Sequence, residues 1–73
     1  MQRLIRLKEV MNLTGLSRSG IYKYIREERF PLSVELGGRA VAWVESEVHS
    51  WIESLISHRD RNTLYGYDME EKL

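Results

Sequence analysis

Residues 13–31, LTGLSRSGIYKYIREERFP, hold the reading on which the fold depends. Gly15 follows an apolar run, and glycine tolerates the left-handed conformation common just past a helix end. Ser17 then stands where a new helix needs its N-cap, with a hydroxyl that can accept from an orphan N–H of the first turn. On a helical wheel Ile21, Tyr24 and Ile25 share one arc, while Arg18, Ser19, Tyr22, Lys23, Arg26 and Arg29 cover most of the opposite side. One side packs and the other is displayed. Pro31 is expected to end this helix, because it biases Phe30 away from the helical region and cannot itself continue the ladder. Gly20, in the first turn, costs about 1 kcal/mol of helix propensity relative to alanine. It permits close approach by a backbone or a neighbouring side chain.

Working outward, Leu7, Val10 and Met11 repeat at helical spacing and predict a short first helix over 7–14. Beyond Pro31 the period changes to two: Leu32, Val34 and Leu36 alternate with Ser33 and Glu35 until Gly37-Gly38 interrupts, which predicts a hairpin. With both glycines as the central turn residues, Val34 falls opposite Val41 and Leu32 opposite Trp43. Ser33, Glu35, Ala40 and Ala42 then face outward, and Arg39 sits at the mouth of the turn. A third helix is expected over 45–57, with acids at its positive end and Val48, Trp51, Ile52, Leu55 and Ile56 on one face. Residues 58–73 show no sustained period and read as a tail, mobile or docked on a partner. The expected domain is therefore 1–57.

A 73-residue chain buries only about 60% of the surface its unfolded form exposes, so the core must be compact. No cysteine is present to supplement it with a disulfide, which fits a reducing cytoplasm. Arg3, Arg6 and Lys8 interrupt the apolar residues near the start, so a signal-peptide core is missing there, and no stretch approaches the roughly 18 apolar residues of a membrane span. The expectation is a soluble, cytoplasmic domain. Net charge is zero, but residues 1–40 carry eight Lys/Arg against four Asp/Glu and residues 41–73 carry three against seven. A positive half can follow a phosphate backbone while the acidic half faces away, because charges beyond about 8 to 10 Å are largely screened.

Residues for other chemistries are sparse. Without cysteine there is neither a zinc ribbon nor a thiol nucleophile. His49 and Glu53 lie four apart, yet nothing else on that helix completes a metal-ligand pattern, and His58 lies beyond the expected domain. No serine stands in a G-x-S-x-G turn, and no glycine-rich phosphate loop with its lysine is present. The expectation is a protein that is not an enzyme and takes no metal or cofactor.

Two short helices joined by a glycine turn, then a hairpin, then a packing helix make a mainly α chain with a small β-hairpin. That is the order of a winged helix-turn-helix. The runs RLIRLKEVMNLTGLSRSGIYKYI and FPLSVELGGRAVAWVESEVHSWIE resemble the AlpA family of prophage regulatory proteins, whose fold is similar to MerR-like and excisionase-type winged helices. The resemblance covers about residues 3–54. TGLSRS-IY, the FP pair, LGGR-V-W and EV--WI occur in the family's order and spacing. It implies sequence-specific binding of double-stranded DNA, with the helix from Ser17 in the major groove and the GGR hairpin as wing. It also implies a role in transcriptional control near an integrase or in excision of integrated elements. The chain departs from the pattern at Gly20, where the family usually has threonine, at Glu28, where a glycine often precedes FP, and at Ser33, where FP-x-PV is common.

The candidate DNA-binding residues are Ser17, Arg18, Ser19, Gly20, Tyr22, Lys23, Arg26 and Arg39. Each also has a plainer reading. Arg18, Lys23 and Arg26 would equally suit a solvated helix face, with Lys23 and Glu27 as an i, i+4 pair. Ser17 suits a cap better than a base contact, and Ser19 is open between a phosphate contact and water. Tyr22 lies on the displayed arc with its hydroxyl available to a phosphate, whereas Tyr24, Trp43 and Trp51 belong to the core. Arg39 could lie along the sugar-phosphate rail or in a narrow minor groove, or simply solubilise the turn.

Three functions compete: a DNA-binding regulator, an excisionase-like directionality factor that bends DNA and recruits an integrase, and a protein-interaction module using the acidic third helix and the LYGYDM tail. A single helix with one wing offers little contact area, so self-association on repeated sites is a further expectation.

Overall fold

The computed structural model describes the backbone of residues 2–66 and the side chains of residues 2–61. A two-residue strand, β1 (Leu4–Ile5), precedes helices α1 (Leu7–Thr14) and α2 (Arg18–Arg26); strands β2 (Val34–Gly37) and β3 (Ala40–Val44) form a hairpin, and α3 (Glu45–Gly66) follows without a break. The chain is mainly helical with a small antiparallel sheet of order β1-β3-β2. Buried Ile5, Val10, Ile21, Phe30, Trp43 and Val48 form one core, to which every helix and the two strands nearest it contribute.

Local chemistry explains the first turn. Gly15 adopts a left-handed φ of 77° and donates its N–H to the Met11 carbonyl at 2.8 Å, closing α1 where the sequence predicts. Ser17 Oγ accepts from the Gly20 N–H at 3.0 Å, capping α2.

The end of α2 differs from expectation. The helix stops at Arg26, not at Pro31, because Glu28 takes a positive φ of 61°. Glu28 N–H donates to the Ile25 carbonyl at 3.0 Å and Arg29 N–H to the Tyr24 carbonyl at 2.8 Å, the paired bonds of a Schellman motif. Pro31 belongs instead to the connector into β2. Two indoles fix that connector: Trp43 Nε1 donates to the Pro31 carbonyl at 3.1 Å and Trp51 Nε1 to the Arg29 carbonyl at 2.7 Å. Phe30 is buried, its ring edge-on to Trp51 at 4.8 Å.

The hairpin register also corrects the sequence reading. Val34 pairs with Ala42 and Glu35 with Val41, then a shift brings Gly37 opposite Ala40, leaving an extra residue on β2. The central turn residues are Gly38, with φ of 56°, and Arg39, whose φ is not positive; Gly37 lies in the strand with φ of 123°. The observed pairing differs by one residue from the expected one, while Trp43 stays fully buried. Ala42 is fully buried rather than outward, and Leu32 is 70% exposed rather than opposite Trp43. Trp43 meets Ile5 of β1, a strand too short for its period to register in the sequence.

α3 extends past Ser57 to Gly66. Residues 58–65 contain neither glycine nor proline, and propagating a formed helix avoids the cost of nucleation. Part of the expected tail is therefore helical backbone. The side chain of Tyr65, together with Tyr67 and Met69, lies outside the described residues. No helix among the described residues is long and apolar enough to cross a membrane.

Candidate nucleic-acid interface

α2 is held from behind. Ile21 is fully buried, Tyr24 and Ile25 pack against the core, and Tyr24 tilts onto Trp51 with ring centroids 6.3 Å apart. Arg18, Ser19, Lys23 and Arg26 are exposed on the outer side. They fall in rows four residues apart, positions 18, 22 and 26 beside positions 19 and 23, over about 12 Å of helix at 1.5 Å per residue. That length matches the roughly 12 Å width of a DNA major groove.

Tyr22 does not share this full display. It is half-buried and packs edge-on against Trp43 at 6.3 Å, while the Arg18 guanidinium lies 6.0 Å from its ring centroid. The tyrosine thus supports Arg18 rather than standing free beside it. Gly20 is half-buried and turned toward the cap: a β-carbon there would stand 3.2 Å from Ser17 Oγ. The close neighbour its lack of a side chain accommodates is Ser17. Ser17 Oγ also lies 3.3 Å from Ser19 Oγ, so two hydroxyls meet at the positive end of α2, whose first turn has no acid.

The cations of the first forty residues divide into two sets, a distinction that summed charge cannot make. Arg6 Nε donates to the Val41 carbonyl at 3.0 Å. Arg3 pairs with Glu45 and, at 3.5 Å, with Glu9; Glu45 and then Glu9 raise the pKa of its guanidinium above the ordinary value. Lys23 forms the expected pair with Glu27 at 3.7 Å, and Arg29 turns over the Tyr24 ring at 4.9 Å. Arg26 and Arg39 form no hydrogen bond or ion pair among the described residues, and neither does Lys8, an exposed α1 cation that sequence reasoning did not single out. Arg39 occupies the hairpin turn, on a different element from the other candidates.

His49 pairs with Glu45 at 3.8 Å, and no group of three metal-ligating side chains occurs among the described residues.

The family described as "Prophage CP4-57 regulatory protein (AlpA)" matches residues 3–56. An uncharacterized protein, ORF88, of Enterobacteria phage P4 is 51% identical over 67 residues, covering 92% of this chain and 72% of that protein. The DNA-binding transcriptional activator AlpA of Escherichia coli K12 is 32% identical over 56 residues, covering 68% of this chain and 80% of that protein. No solved structure matches. The match spans β1 through the packed half of α3, and on that extent the chain belongs to the AlpA family of prophage regulatory proteins.

Proposed function

We propose that this chain is a sequence-specific double-stranded DNA-binding regulator of the winged helix-turn-helix type. α1 and α2 form the helix-turn-helix, α2 enters the major groove, and the β2–β3 hairpin is the wing, with Arg39 at its turn on the backbone or in the minor groove. The observation that carries this reading is the outward row of Arg18, Ser19, Lys23 and Arg26, fixed by the buried Ile21 behind it. Arg18 and Ser19 at the capped N-terminus approach base edges, while Lys23 and Arg26 hold phosphates. The name of the Escherichia coli relative supports DNA as the partner.

Footprinting the purified protein on the DNA flanking its own gene, at two salt concentrations, tests the reading. Protection should cover a discrete site, and log affinity should fall by about 0.9 per log unit of salt for each phosphate neutralised. A flat salt response without a discrete site would overturn it.

A further inference from the structure

Glu28 is the one non-glycine residue with positive φ among the described residues. Reversing the chain after α2 needs that backbone conformation, which glycine supplies without a Cβ clash. A carboxylate adds a second penalty there, since the C-terminal end of a helix carries partial negative charge. Beyond the backbone bonds of that turn, no hydrogen bond or ion pair to the Glu28 carboxylate offsets either penalty among the described residues. Its neighbour Glu27 takes the nearby cations, pairing with Lys23 at 3.7 Å and Arg29 at 3.1 Å. Glu28 and Arg26 line one open cleft of about 620 Å³ over Ile25, Phe30, Pro31 and Leu32. A strained backbone carrying a side chain that the fold itself does not use points to a use outside the fold.

We propose that Glu28 limits affinity for duplex DNA: its carboxylate, beside Arg26 at the end of α2, repels the phosphate backbone that Arg26 and Lys23 attract. This role rests on the reading of α2 as the DNA-facing helix. Sequence-independent attraction between cations and phosphates supplies essentially all binding to unrelated DNA, so one opposing charge at that contact weakens such binding directly. The effect is local, because charges farther than about 8 Å from the phosphates are screened at physiological salt.

The test compares the intact wild-type chain with Glu28→Gln, Glu28→Gly and Glu53→Gln on a random-sequence duplex at about 50 and 200 mM salt. Glu53→Gln makes the same change in net charge on the exposed, acidic part of α3. Both Glu28 variants should bind about 3- to 10-fold more tightly at the lower salt, with the gain shrinking at the higher, while Glu53→Gln stays within about twofold of wild type. Unchanged binding by Glu28→Gln, an equal gain in Glu53→Gln, or a gain confined to Glu28→Gly would each overturn the role, the last by assigning the effect to backbone relief. Should Glu28→Gln fail to fold, Glu28→Asn, which tolerates the left-handed conformation, supplies the uncharged comparison. If the wild-type chain binds no duplex at either salt, the DNA-binding reading itself falls, and this role with it.

Discussion

Gly15 and Glu28 perform the same backbone task with different side chains, at φ of 77° and 61°. No atom lies within 4 Å of a β-carbon built on Gly15, so Gly15→Ala should meet no clash and incur only the strain of a left-handed φ, costing about 1 kcal/mol. Glu28→Gly should gain about as much, raising the melting temperature by roughly 4 to 8 °C. Thermal unfolding of both variants checks the opposed signs. The first of these positions was readable in the sequence and the second was not, for a physical reason: a glycine after an apolar run announces a left-handed residue, while a glutamate conceals one. Ser17 was equally readable, since a cap depends on neighbours three residues away. On the proposed reading of α2, Arg18→Ala should weaken binding to a specific DNA site by about 1 to 3 kcal/mol and relax the preference at one base pair if Arg18 reads guanine. Uniform loss across sequences, measured by competition binding, would make it a phosphate clamp instead.

Helices were more readable than strands. α1 and the start of α2 followed from period and punctuation, whereas the hairpin register turned on which two residues make the turn. Gly38-Arg39 and Gly37-Gly38 are both sound turns by composition. The bulge before Gly37 decides between them, and no local pattern encodes it. Tyr22 packs back onto Trp43, a residue of another element, so the displayed face of α2 is narrower than the wheel implied. α3 runs on to Gly66 although its apolar period fades after Ser57, because a helix once formed propagates without a packed face. Leu55 and Ile56 are half-exposed and residues 57–61 are exposed. Leu55→Ala, at a half-exposed site, should therefore cost only about 1 kcal/mol, because substitutions away from packing features have small effects. A larger drop in denaturation midpoint would show that this part of the helix is packed.

The molecule depends on very few large side chains. Trp43 is fully buried, meets Ile5 across the sheet, packs on Tyr22 and holds the Pro31 carbonyl. Trp43→Ala should cost about 3 to 5 kcal/mol, a large part of the stability available to so small a domain. Loss of the cooperative transition in circular dichroism would register it. The separation of charge between the two halves of the chain was visible in the sequence, but not that Arg3 and Arg6 are committed to the fold, since their partners Glu45 and Val41 lie far along the chain. That long-range closure has a further consequence. The Arg3 carbonyl receives the Glu45 amide and Ile5 pairs with Trp43. A ribosome delivers the amino end first, so the opening helical pair must emerge without its sheet. Contacts this distant in sequence form slowly, and the nascent domain completes itself only after Glu45 has cleared the exit tunnel.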